Sequence, residues 1–229
     1  MHRSTVNEIL AESATFIASH GYVLPPFAFW SPSDLKARVA QDSAMIRDHM
    51  LGWDITDYGL GKFEDLGLFL FTVRNGNQAN VQAGMGMLYA EKIMISGQQQ
   101  LSPMHRHNLK TEDIINKGGG TLVLELFTAA ADGSIDETAA VRVRCDGSWR
   151  QMPGGSHLKL APGESVTLEP DTWHAFWGEG GKVLIGEVSN VNDDRTDNVF
   201  REEIGRFSTI HEDVAPVHLL VSDYETWLS

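Results

Sequence analysis

Cysteine is nearly absent from this chain. Cys145 stands alone among 229 residues, so no internal disulfide can form and any covalent thiol chemistry would rest on that one side chain. Residues 1–17 mix Arg3, Glu8 and Glu12 with apolar residues and lack the zoned pattern of a secretory signal, so a cytoplasmic location is expected. Long apolar runs are missing as well: none approaches the roughly 20 residues that a membrane helix needs, which excludes a helical membrane span. Positive charge is scarce, with 18 Lys and Arg against 31 Asp and Glu for a formal net charge of -13. No dense basic stripe interrupts that excess, and nucleic acid is not an expected partner. Internal repeats and low-complexity segments are also lacking.

What is present divides by period. Val6, Ile9, Leu10 and Phe16 follow Ser4 near helical spacing, and Leu35, Val39 and Ile46 follow the start signal Ser31-Pro32-Ser33, so two helices are expected in the first fifty residues. The connector from Gly21 to Phe27, with Pro25 and Pro26, is stiff and apolar and is expected to pack against the main body. From about Leu68 the period becomes two, and short Val, Ile, Leu and Phe segments alternate with Gly, Asn, Asp and Pro clusters. Strands are expected at 68–73, 88–96, 120–127, 165–169 and 183–189, with turns at Asn75-Gly76, 131–133 and 178–181. The clearest is Val141-Arg142-Val143-Arg144-Cys145, whose strict alternation marks an antiparallel strand with one face in a core. The run 217–221 reads as one last strand. These elements describe a mainly β single domain: residues 1–55 as a helical extension packed on a barrel, and residues 56–229 as the barrel with its C-terminal segment.

Chemistry concentrates in His105-Arg106-His107. Residues i and i+2 of a strand face the same way, so three residues can aim two imidazoles at one point. Glu112 follows five positions later, where a carboxylate can return to that point, and His174 follows the turn Glu169-Pro170-Asp171-Thr172-Trp173 and can close the site from across the sheet. His105, His107, Glu112 and His174 together are candidate ligands of a divalent first-row ion, with manganese, iron, cobalt, nickel and zinc all compatible.

The order of these residues, with Gly118, Gly119 and Gly120 after the glutamate, resembles the cupin superfamily, whose first motif carries His-x-His, three or four residues, Glu and a later glycine. Here Ser102-Pro103-Met104 replaces the leading glycine pattern, and Pro170 to His174 is one residue shorter than the usual second motif and lacks its glycine. Within the cupins the chain resembles the D-lyxose isomerase family, through His105-Arg106-His107, residues 112–120 and residues 188–197. That resemblance implies a double-stranded β-helix barrel, a homodimer, manganese as the ion, and an aldose-ketose isomerase interconverting D-lyxose and D-xylulose, with D-mannose and D-fructose as a further pair. Such an enzyme moves hydrogen between adjacent carbons, with a metal polarising the carbonyl and a base carrying the proton. Lys92 and Lys110 are the basic candidates. The likeness of residues 187–206 to the closing segment of that barrel adds Asp194, Glu187, Glu202 and Arg206, the last two as covers of the open mouth. Two other classes share the ligand set: a metal-dependent dioxygenase and a non-catalytic sugar-binding cupin. Oxygen consumption would mark the first, and binding without turnover the second.

Overall fold

A computed structural model describes residues 1–191, 193 and 196–228. Helix α1 (Arg3–Ser19) leads through a 3-10 turn at Pro26–Phe29 to α2 (Pro32–Gln41) and α3 (Ala44–Asp48). Strands β1 (Gly52–Thr56), β2 (Leu68–Arg74), β3 (Tyr89–Ser96), β4 (Ser102–His107), β5 (Glu112–Ala129), β6 (Ile135–Asp136), β7 (Ala140–Cys145), β8 (Ser148–Pro153), β9 (Ser156–Leu160), β10 (Ser165–Leu168), β11 (Thr172–Asn190) and β12 (Asn198–Phe200) follow. Helix α4 (Gln78–Ala83) interrupts the chain between β2 and β3, and α5 (Tyr224–Trp227) ends it. No helix among the described residues is long and apolar enough to cross a membrane.

The strands form one antiparallel sheet in the order β1-β2-β3-β11-β5-β10-β7-β8, with β4 and β9 added to β11 and β5 and with β12 on β4. β5 and β11 pair along nearly their whole length and bend together: the halves near Trp173–Phe127 pair with β4 and β9, while the halves near Glu187–Ile114 pair with β3 and β10. The sheet thus folds over into a barrel. Glycine makes the bend possible. A Cβ on Gly119, whose φ is +92°, would lie 2.2 Å from the Lys182 carbonyl oxygen, and one on Gly120 would lie 2.6 Å from that of Glu179, distances no side chain tolerates. Residues 178–181, expected as a turn between strands, are instead this bend inside β11, with the register shifting between Glu179 and Val183.

Leu70, Met94, Ile114, Leu124, Val143, Val166, Phe176 and Ile185 fill the barrel. β7 alternates buried and exposed as its sequence requires, with Val141, Val143 and Cys145 inside. In β1, β2 and β3 alternation is lost because α1 covers their outer face: Val6, Leu10 and Ile17 pack on Phe69, Phe71, Ile93 and Trp53, and a strand buried on both sides reads as a continuous apolar run. The connector also packs there through Leu24 and Phe27. Ser31 accepts a hydrogen bond from the Asp34 N–H (3.2 Å) and Pro32 opens α2, as the start signal implied. The expected second helix is two, broken between Gln41 and Ala44. The sheet begins at Gly52, four residues before position 56. Asn75-Gly76 opens the connection that carries α4, which periodicity did not reveal, and residues 217–221 are not a strand, since only the bridge between Trp53 and Leu220 links that run to the sheet.

Candidate metal centre and sugar site

β4 delivers His105 and His107 to one face, and β11 lays His174 directly opposite His105 in register. The ligand nitrogens of His105, His107 and His174 all lie within 4.8 Å of one another, a group able to hold a metal ion. Glu112, the first residue of β5, brings Oε1 to 3.3 Å from His107 Nε2 and 3.2 Å from His174 Nε2. His105 Nδ1 donates to the Pro103 carbonyl (2.7 Å) and His174 Nδ1 to that of Thr172 (3.0 Å). A carbonyl can only accept, so these bonds fix the tautomer and turn the Nε2 lone pairs toward the cluster. Both His107 nitrogens are buried without a hydrogen bond of good geometry. An imidazole lone pair facing a carboxylate oxygen at such range is repulsive unless a cation joins them, so this donor set fits a divalent first-row ion.

Electrostatics agree. Burial, followed by neighbouring His174 and His107, holds His105 well below the usual imidazole range, and burial with the Lys110 charge lowers His107. For Glu112, burial is the largest influence and acts upward, but Lys110 and then His107 outweigh it and hold the carboxyl well below its ordinary value. Neutral imidazoles and an ionised carboxylate are the forms a metal requires.

Beside the cluster runs a buried chain of charges. Lys110 Nζ lies 2.6 Å from Glu112 Oε2 and 3.1 Å from Glu187 Oε1, Lys92 Nζ lies 3.5 Å from the same Glu187 oxygen, and Ser189 Oγ donates to it at 3.2 Å. Register explains this: Lys92 and Glu187 are paired residues of β3 and β11, and Ser189 pairs with Glu112. Lys92 faces inward, whereas Glu91 turns out to Tyr22 and Arg74. Arg206 Nη2 reaches Asp54 Oδ2 at 2.9 Å, and its carbonyl accepts from Thr56 Oγ1 at 2.8 Å. The three histidines, Glu112, Lys92, Lys110, Glu187 and Arg206, with Tyr58, Leu70, Phe176 and Phe200, line a cavity of about 40 Å³.

Of the residues singled out in the sequence, His105, His107, Glu112, His174, Lys92, Lys110, Glu187 and Arg206 therefore meet around one space. Glu202 does not: its side chain is 77% exposed and paired with Arg201, because β12 ends at Phe200 and the chain then turns outward. Asp194 lies outside the described residues. Asp197, which in sequence looks like part of a solvated turn, is buried. Its carboxylate accepts the N–H groups of Asn108 (3.1 Å), Leu109 (2.8 Å) and Lys110 (3.1 Å) and faces His107 Nδ1 at 3.7 Å. Asp54 was also missed, although an acid inside the apolar run Trp53-Asp54-Ile55 was a usable signal of a buried charge.

Comparison with known proteins decides the family. Residues 1–224 match the model of the D-lyxose isomerase family. The chain belongs to that family. It is 46% identical over 226 residues to a D-lyxose/D-mannose isomerase of Serratia proteamaculans and 41% identical over 228 residues to one of Escherichia coli O157:H7, in each case over 98% of both chains. Membership makes the protein a sugar isomerase. Its fold is similar to that of the L-ribose isomerase of Cellulomonas parahominis (TM-score 0.60, 16% identity, 92% of this chain and 98% of that one) and to that of Acinetobacter sp. DL28 in complex with L-ribose (TM-score 0.60, 14% identity, the same coverage), which supports the cupin-type barrel.

Proposed function

We propose that the protein interconverts D-lyxose with D-xylulose and D-mannose with D-fructose, holding a divalent ion, with manganese favoured, through His105, His107, Glu112 and His174. The observation that carries this reading is the buried Glu112-Lys110-Glu187-Lys92 chain beside converging imidazoles, since ionisable groups are costly to bury and are concentrated where protons move. When bound, the ion supplies Lewis acidity toward the sugar carbonyl.

The protein's own groups divide the remaining work. Glu187, in contact with Lys92 and Lys110 and accepting from Ser189, takes the proton from one carbon and returns it to its neighbour, and its burial keeps that proton from water. Lys110 and Lys92 donate to the sugar oxygens on which charge develops. Arg206, fixed by Asp54, holds a hydroxyl and limits the sugar's freedom. Glu202, outside the cavity, receives no role. The homodimer expected from the resemblance draws support from Tyr89, Val188 and Leu109, exposed apolar residues around the joined ends of β3 and β11 that a second copy would cover.

Metal-stripped protein restored with manganese under nitrogen in deuterated water, followed by NMR on D-lyxose and D-mannose, tests the proposal. Ketose formation is expected, with deuterium entering at the exchanging carbon wherever Glu187 exchanges with solvent. A requirement for oxygen would transfer the protein to the dioxygenase class, and binding without turnover to the sugar-binding class.

A further inference from the structure

The cavity beside the histidines is too small for a whole sugar: about 40 Å³ is the space of a few water molecules. A larger chamber of about 460 Å³ adjoins it and shares Leu70 and Lys92 as wall. β2 acts as a ruler between the two. Leu68, Leu70 and Thr72 share one face of that strand, with Leu68 and Leu70 on the cavity and Leu70 and Thr72 on the chamber. Alternate residues of a strand are about 6.6 Å apart, so the path from Leu68 to Thr72 covers about 13 Å, ample for an open-chain hexose that begins at the histidines. The ion pair of Arg206, on the cavity side, with Asp54, on the chamber side, marks the boundary.

Beyond that boundary the lining stays polar, with Arg47, Asp48 and Glu225 among its charged members and several neutral hydrogen-bonding groups beside them. Thr72, Asn75, Asn77 and Gln78 face the chamber, and hydroxyl and carboxamide groups both donate and accept, as sugar hydroxyls do. We propose that this chamber is the subsite for the far end of the sugar chain and that Thr72 and Asn75 read the hydroxyls most distant from the reacting carbons. A pentose barely enters the chamber, whereas the extra carbon of a hexose lies inside it. Thr72, buried within β2, is thereby a determinant of hexose against pentose use. This inference rests on the isomerase reading above.

The test compares kcat/KM for D-mannose and D-lyxose in the wild-type enzyme and in Thr72→Leu, which narrows the chamber. The mannose-to-lyxose ratio is expected to fall by about tenfold or more, the scale on which one carbon is discriminated in a pocket. A ratio unchanged within about twofold overturns the subsite while leaving the isomerase standing; a wild-type enzyme inactive on both sugars removes the reading beneath it. Should Thr72→Leu fail to fold by circular dichroism, a crystal of the wild-type enzyme with D-fructose decides. Carbon six past Lys92 and hydrogen-bonded to Thr72 or Asn75 supports the assignment, and a sugar lying wholly on the histidine side overturns it.

Discussion

The Asp197 carboxylate accepts the backbone N–H of Lys110 at 3.1 Å, so a residue 87 positions downstream sets where the lysine between the two carboxylates begins. The same carboxylate binds the two preceding N–H groups and faces His107 Nδ1. Asp197→Ala is expected to release the 108–110 turn and loosen His107 together with Lys110, weakening metal binding by about 10- to 100-fold, the usual cost of losing a partner that orients a ligand. Asp197→Asn, which keeps an acceptor oxygen, should recover part of the loss. Titration calorimetry of the metal-free protein with manganese reads both; unaltered affinity in Asp197→Ala would show that His107 is held by its strand alone.

Glu187 and Lys110 are separable by kinetics. Glu187→Gln keeps the shape of the side chain and a partner for Lys110 but cannot carry a proton, so kcat should fall about 100- to 10,000-fold with KM nearly constant. Lys110→Met leaves Glu112 and Glu187 without the ammonium between them, and both kcat and metal affinity should suffer. Equal and small effects in the two variants would assign the proton transfer elsewhere.

The cluster of three histidines and Glu112 is legible because its geometry is local. A strand's period of two is enough to put His105 and His107 on one side, Glu112 follows across one short turn, and a proline-led turn announces His174. Lys92 and Glu187 were visible as charges in apolar strands, but their pairing needed the register of β3 on β11. Asp197 was illegible: residues 193–197 have a turn's composition, and only the crossing of the chain over the 108–110 loop buries that carboxylate. The exposure of Glu202 is equally hidden from the sequence, since the end of β12 decides which way it points. The glycines of β11 were read as a turn because a turn and a sharply bent strand both require conformations open to glycine.

Acid should destabilise the metal-free protein through the same imidazoles. His105 and His107 in the folded chain are held below the ordinary value of 6.5. Above that pH they are neutral in both states and contribute no pH dependence. Below it the unfolded chain binds protons that the folded chain refuses, so stability falls as pH drops. Glu112, also depressed, adds to the loss in the same direction once pH passes below its ordinary 4.5. Calorimetry of the metal-free protein between about pH 7 and 5.5 should show Tm falling with acid, and His105→Asn should flatten the dependence. A Tm constant over that range in the parent protein contradicts the assignment of buried neutral imidazoles.

Arg3 closes the molecule end to end, and its two partners should differ sharply in what they contribute. Its guanidinium is fully buried; it bonds Asp223 at 2.8 and 3.0 Å and Glu212 at 2.6 and 2.9 Å. Burial alone would ease its proton off, but the hydrogen bonds it donates to Glu212 and Asp223 outweigh that and raise its pKa instead. Asp223 is itself nearly buried, whereas the Glu212 side chain is 49% exposed. Removing one partner of a buried pair strands the other charge in a medium that cannot solvate it, so Arg3→Ala should cost about 3–5 kcal/mol. Glu212→Ala leaves Arg3 still paired with Asp223 and gives up a bond largely offset by water, a cost of about 1 kcal/mol or less. Urea unfolding of the two variants checks the contrast. Similar small losses in both would mean that the helix is held to the sheet by Val6, Leu10 and Ile17, with the buried charge cluster contributing little to the closure.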